Sequence, residues 1–313
     1  MFYILKPIIP RSVQIFLRRQ LVKKQIKKYK NVWPILENAG EKPDGWPGWA
    51  NNKKFVVILT HDVESQSGHD KCIKLMELEK ELGFCSSFNF VPERYNVLES
   101  LRNELISNGF EVGVHGLNHD GKLFSNENVF TERAKKINRY IKQWNAVGFR
   151  APAMHHNLKW LHKLDLKYDL STFDTDPFEP EADGMKTIFP FWVSKNGEVN
   201  ENGYWEFPYT LVQDFTLFIL MKKNNDIWKK KVDWIAQNGG MVLVNVHPDY
   251  VNFSQNKNDV EEFSKIQYVG LLKYIKSKYK GQYWNPLPKE LAEYLNNNFP
   301  KEYALLKNLL ECD

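Results

Sequence analysis

The chain has 313 residues, 42% of them apolar and 14% aromatic, with a formal net charge of +5. That supply of apolar surface can build one large α/β domain or two small ones, and it excludes disorder along the whole length. Cys72, Cys85 and Cys312 are too few and too scattered for a disulfide framework, so a reducing compartment is expected, and no run of eighteen apolar residues offers a membrane-spanning helix.

The charge is uneven. Lys6, Arg11, Arg18, Arg19, Lys23, Lys24, Lys27, Lys28 and Lys30 put +9 into the first thirty residues, which hold no acid, and leave −4 for the remainder. Val13, Phe16, Leu17 and Leu21 recur there at helical spacing, a pattern that suits a helix at a membrane surface and equally a helix packed on the outside of a domain. The body has neither a basic stripe nor a recognition motif, so nucleic acid is not an expected partner. The opening apolar run lacks an early basic residue and a small-residue cleavage site, which makes the expected location cytoplasmic, with the inner face of the membrane as the place the basic arm would reach. Residues 1–50 therefore read as a basic arm and an irregular lead-in broken by Pro34, Gly40, Pro43, Gly45, Pro47 and Gly48, and residues 51–313 as one domain.

Within that domain strands and helices alternate. Residues 53–60 carry Phe-Val-Val-Ile-Leu, suited to a strand buried on both faces, and residues 69–82 form a helix stopped by Gly83. A strand follows at 84–90, a helix at 98–107, a strand at 110–114 and a long helix at 127–144. Gly148 and Phe149 begin a short extended piece, 157–163 a short helix and 168–173 a strand. Residues 174–202, rich in Pro, Gly, Asp and Asn, read as a long excursion. A strand at 203–208, a helix at 226–237, a buried strand at 241–246, a helix at 261–278 and an outer cap after Pro286 and Pro288 complete the chain. Such alternation implies crossover connections and a mostly parallel sheet with helices outside it.

Four of the eight histidines fall at or just past predicted strand ends: His61, His115, His119 and His247. In parallel α/β architectures those ends bear the site. A helical turn after the third strand would aim His115 and His119 at one point, and Asp62 from a neighbouring strand would add an oxygen. Two nitrogens and a carboxylate suit zinc, with nickel, cobalt, manganese and iron as other candidates. His155 and His156 are candidates for the mouth, and Trp192, Trp205, Phe207 and Tyr209 are candidates either for sugar stacking or for core.

Thr60-His61-Asp62, His115-Gly-Leu-Asn-His119, Arg150-Ala-Pro152 and the late strand ending in His247 occur in an order that resembles the polysaccharide deacetylase (NodB-homology) family over about residues 53–250. The resemblance implies an incomplete, distorted (β/α) barrel of about seven parallel strands and removal of an acetyl group from an N-acetylated sugar. It implies metal ligation by Asp62, His115 and His119, with metal-activated water as the attacking group. His247 becomes the general acid, and His61 stands where the family has its base aspartate, the first of an Asp-Asp pair. Arg150 matches the residue that holds that base. Glu64 could supply the missing carboxylate, and Asp174 or Asp176 could orient a histidine or arginine. The departure at His61 leaves a second reading, a deacetylase-fold protein that binds glycan without turnover.

Overall fold

A computed structural model describes residues 10–181, 183–195, 203–254, 259–302 and 304. The opening run to residue 9, Cys312 and the end of the excursion at 196–202 lie outside these residues.

Among the described residues nine strands make one sheet. β1 (Phe55–Val63) is buried over its whole length, and on one side it pairs in parallel with β2 (Ser87–Phe90). The order then runs through β3 (Glu111–His115), β4 (Gly148–Arg150) and β5 (Tyr168–Asp169), all parallel. Here the expected excursion contains a strand: β6 (Phe191–Ser194) turns back antiparallel on β7 (Gly203–Glu206), which itself lies parallel to β5. β8 (Met241–Asn245) pairs with the other side of β1, and β9 (Tyr283–Trp284) pairs with the start of β1. Beyond β7 the chain bridges Tyr209 to Phe173 and Leu211 to Val244, and Thr210 Oγ1 accepts from Leu243 N at 3.0 Å. Seven parallel strands thus nearly close a ring, with a thin seam at residues 209–211. This is the distorted (β/α) barrel that the motifs implied.

Helices cover the outside. α1 (Arg11–Lys28) lies against a π-helical stretch, Phe215–Leu220. α2 (Cys72–Leu82) ends on left-handed Gly83, α3 (Glu99–Ser107) follows, and α4 (Glu127–Trp144) is capped by Asn126, whose side chain accepts from Val129 N. α5 (Asp226–Asn238) also stops on a left-handed glycine, Gly239, and α6 (Ile266–Lys278) packs beside it. The helix expected from residue 69 breaks instead after His69 and restarts at Cys72, and the last crossover helix begins at Ile266 rather than at 261. α7 (Pro288–Asn298) crosses the bottom of the barrel. Its Lys289 N–H donates to Glu111 Oε2 at 3.0 Å, its Asn296 accepts from Trp205 Nε1 at 3.0 Å, and Leu291 and Leu295 are fully buried. Among the described residues no helix is long and apolar enough to cross a membrane.

Side chains alternate between the two faces of a strand, and this decides what enters the barrel. Tyr168 stacks on Phe207 over the flat surface left by Gly148, where an added Cβ would meet the Tyr168 ring at 2.0 Å. With Trp205 they form an aromatic floor. Beyond it lie the buried polar side chains Thr60, Asn89, Arg150, Asp62, His115 and Asn245, so the interior grades from apolar to polar toward the C-terminal ends of the strands.

Candidate metal centre and its flanking acid and base

β1 carries Thr60 and Asp62 inward and turns His61 the other way. Between the sheet and the outer helices, His61 Nε2 faces Glu79 Oε1 at 2.8 Å and Nδ1 faces the Val246 carbonyl at 2.8 Å. Its ring packs against Phe88, and Glu79 also accepts from Ser86 Oγ (2.6 Å) and the Tyr268 hydroxyl. His61 was expected in the site; strand alternation places it in the outer core, beyond reach of the barrel interior. Asp174 was expected to orient a site residue. It is buried against Lys231 of α5, Nζ to Oδ2 2.5 Å, and lies outside the ring.

Asp62 occupies the centre of the polar layer. Its Oδ1 accepts from Asn89 Nδ2 (3.1 Å) and lies 3.3 Å from Arg150 Nη1, and its Oδ2 accepts from Asn245 Nδ2 (2.8 Å). Arg150 is fully buried, with Nε on the Leu170 carbonyl (2.9 Å) and Nη1 on Thr60 Oγ1 (2.9 Å), so its position is fixed from three sides. Burial works against a charged Asp62, but Arg150, then His115 and His247, outweigh it and hold the carboxyl at about 2.

One turn further, the chain leaves β1 and Glu64 swings over the same cavity. Its N–H donates to Asp249 Oδ2 (3.0 Å), the Ser65 hydroxyl donates to the same carboxylate, and the Tyr250 hydroxyl donates to Glu64 Oε2 (2.9 Å). Burial opposes its charge too, and is outweighed by His119, His247 and His115, which leave it well below the usual carboxylate range.

The segment after β3 does not turn helically. Gly116 (φ +61°) and His119 (φ +54°) are both left-handed, and the Cβ that Gly116 lacks would lie 2.4 Å from Pro152 Cγ. This tight path returns His119 over His115, ring centroids 5.1 Å apart. Donor atoms of Glu64, His115 and His119 lie within 4.8 Å of one another, and His119 Nε2 is 2.9 Å from Glu64 Oε1. Asp62 is not in this group: it faces His115 Nδ1 at 3.8 Å, on the ring edge that the Arg150 carbonyl already takes at 3.1 Å. His115 Nε2, the nitrogen turned to the cluster, is buried without a hydrogen-bond partner. A buried, unpartnered imidazole nitrogen beside a second imidazole and a carboxylate is a donor set that fits a divalent cation. Burial pushes the His115 ring down to about 4, which keeps it neutral and able to ligate. Compared with the expected trio, the carboxylate at the cluster is Glu64, two residues further along the chain and just past the end of β1.

His247 stands opposite. Its Nδ1 is 2.7 Å from Asp214 Oδ1, its N–H donates to Asp214 Oδ2 (2.8 Å), and its Nε2 lies 3.9 Å from Glu64 Oε1 and 3.4 Å from Asn245 Nδ2. Burial alone would strip this ring of its proton. Asp214, with Glu64 and Asp62 behind it, reverses that and holds the proton up to about 10. Asp214 also accepts from Phe215 N at 2.7 Å at the head of the π-helical stretch. Asp214, Asn89, Asn245, Asp249 and Tyr250 were not singled out by sequence. Asn245 and Asp249 flank His247 within two residues, a proximity that could have flagged them; nothing in the sequence around Asp214 does so.

Of the other candidates, His155 edges a shallow depression beside His119 and pairs with Glu181 at 2.7 Å, while His156 approaches Asp183 at 3.4 Å. Trp192 and Trp205 pack edge to face in the core, Phe207 belongs to the floor, and the Tyr209 hydroxyl lies 2.6 Å from Asp176 Oδ2 and 2.8 Å from Glu179 Oε1. Trp192, Trp205 and Phe207 therefore serve packing.

No family model matches the chain, and no curated protein matches it in sequence. Solved structures do match its fold. A Mycobacterium smegmatis protein assigned to the polysaccharide deacetylases is similar over 82% of this chain and 95% of its own, with TM-score 0.58 and 16% identity. PuuE allantoinase is similar over 85% of this chain and 98% of its own (TM-score 0.63, 13% identity), and a Pseudomonas aeruginosa PAO1 protein, titled a probable polysaccharide deacetylase, over 81% and 95% (TM-score 0.60, 14% identity). At these identities the likeness carries the fold alone.

Proposed function

We propose that the protein is a metal-dependent amide hydrolase that removes an N-acetyl group from a sugar, with Glu64, His115 and His119 holding the cation, Asp62 as general base and His247 as general acid. The observation that carries this reading is the pair of groups flanking the cluster, a carboxylate kept ionised by Arg150 on one side and an imidazole kept protonated by Asp214 on the other. Two titratable groups driven apart by their surroundings are what a base and an acid working in one turnover require.

A divalent cation in this set, zinc being the natural choice for two imidazoles and a carboxylate, would polarise the acyl carbonyl and make an attacking water more acidic. Asp62 then takes the proton from that water as its oxygen adds to the carbonyl carbon. The amine that departs when the C–N bond breaks is too basic to leave as an anion, and His247 Nε2 supplies the proton it needs. Asp214 keeps the imidazolium oriented and stabilised, Arg150 keeps Asp62 aligned, and Tyr250 and Asp249 fix Glu64.

The reading without turnover rested on a histidine standing where the base aspartate belongs. His61 facing outward and Asp62 against Arg150 support the reading with turnover. The test is acetate release by zinc-loaded protein from N-acetylated monosaccharides, oligosaccharides and lipid-linked sugars, with ring opening of allantoin followed separately because one structural neighbour is an allantoinase. Acetate release that disappears in Asp62→Asn and His247→Gln supports the proposal. Sugar binding with no acetate released by metal-loaded protein overturns it.

A further inference from the structure

α1 is anchored to the barrel by one side only. Ile15 and Val22 are buried, Arg19 Nε donates to the Ile219 carbonyl (2.9 Å), Gln25 Nε2 donates to the Pro177 carbonyl (2.8 Å), and Arg11 pairs with Glu261. The Arg18 guanidinium lies 5.0 Å from the centre of the Phe215 ring. At 100° per residue these groups share one side of the helix. The opposite side carries Val13, Phe16, Leu17 and Leu21 in its first half, 43–57% exposed, and exposed Lys23, Lys24, Lys27 and Lys28 around its second half. Among the described residues, the exposed large apolar side chains number eight, and four of them stand on this single face. Single exposed apolar residues are ordinary, whereas a gathered patch marks an interface.

We propose that this face docks the protein onto an anionic bilayer surface, the four apolar side chains entering the headgroup boundary and the lysines meeting lipid phosphates. Charge selects the occupant. Residues 1–30 hold no acid, so a second copy of the chain seated on this face would bring lysines against lysines. A nucleic acid would satisfy the lysines and leave the apolar half in water. A negatively charged membrane satisfies both halves at once, which is the design of helices that lie in the interface plane.

The helix also sits close to the proposed site. Phe215, under Arg18, packs on Tyr250 with ring centroids 4.8 Å apart, and Tyr250 donates to Glu64. Docking therefore brings the barrel mouth near the headgroups, where the acetamido sugar would be one carried on a lipid. This consequence for substrate rests on the hydrolase reading; the docking does not.

The test is sedimentation of the full chain with vesicles of phosphatidylcholine alone and of phosphatidylcholine mixed with phosphatidylglycerol. The protein should pellet with the anionic vesicles, weakly or not at all with neutral ones, and less as salt is raised. Lys24→Gln and Lys28→Gln should each lower the partition coefficient about fivefold, the factor that about 1 kcal/mol per basic residue converts to. The combined Phe16→Ser, Leu17→Ser and Leu21→Ser variant should abolish pelleting while acetate release from a soluble sugar stays unchanged. Failure to pellet with anionic vesicles overturns the proposal. Self-association that the same triple variant relieves, or RNA binding that competes with the vesicles, reassigns the face and overturns it too. Docking by a protein that releases no acetate would refute the hydrolase reading and leave this one standing.

Discussion

Replacing His61 by Phe separates the outward position of this residue from the role its motif implies. Phenylalanine keeps a ring against Phe88 but removes two hydrogen bonds, the one from Nε2 to the Glu79 carboxylate and the one from Nδ1 to the Val246 carbonyl. A hydrogen bond to a charged group contributes about 1.5–3 kcal/mol and a neutral one about 1 kcal/mol, and Glu79 retains the Ser86 and Tyr268 donors. The expected destabilisation is about 2–4 kcal/mol, and at about 2 °C per kcal/mol for a chain of this size Tm falls by about 4–8 °C. At a temperature well below that transition, zinc stoichiometry should be unchanged and acetate release should stay within about twofold, since neither lost contact reaches the cavity. Differential scanning calorimetry and a coupled acetate assay on the same preparations check this. A variant with unaltered Tm and hydrolysis reduced by about 10² or more would refute the reasoning, because only a group that takes part in proton transfer would behave so.

The two inward carboxylates should part in their effects. Glu64→Gln should lower zinc affinity by about 10–100-fold or more in a chromophoric chelator competition, whereas Asp62→Asn should retain zinc within about tenfold and lose about 10²–10⁴ in kcat. Reversal of these outcomes would return Asp62 to the ligand set. In metal-free protein, His247 holds its proton to about 10 against 6.5 when unfolded, so the stability it contributes is whole below pH 6.5 and is lost as pH rises through about 10. Urea midpoints should therefore fall more steeply between neutrality and pH 10 for the wild type than for His247→Gln. Asp62, held at about 2 against 3.8, contributes in the opposite sense: its share is present above 3.8 and disappears as pH falls to about 2. Gly148→Ala places a Cβ 2.0 Å from the Tyr168 ring and should cost about 1–3 kcal/mol by denaturant titration, the usual penalty of overpacking; an unchanged midpoint would mean the floor has room to yield.

Much of the frame was legible because buried parallel strands are near-continuous apolar runs and crossover helices stop on glycine, as at Gly83 and Gly239. The excursion hid a strand because β6 is an edge strand held by pairing with β7, a contact that composition does not encode. The candidate site was legible as a set of strand ends, while the outward turn of His61 within one of them was not read. Thr60, Asp62 and Glu64 share a parity that excludes His61, so alternation along β1, applied residue by residue, already separated the inward side chains from His61. Motif matching aligned the histidine with a family aspartate and overrode that rule. Asp214 was not legible at all. It reaches His247 only because the seam at 209–211 carries the chain across to β8, and nothing local distinguishes it from a turn-forming aspartate.

The helix laid across the base of the barrel has a consequence for traffic. With Glu111 tied to the start of α7 and Tyr168, Phe207 and Trp205 packed above it, the described residues close the interior at its base. Whatever reaches Asp62 and Glu64 arrives from the rim and departs past the same residues. An extended chain would have to lie across that rim and dip one substituent into it, since the described residues leave no passage through the base along which it could be threaded.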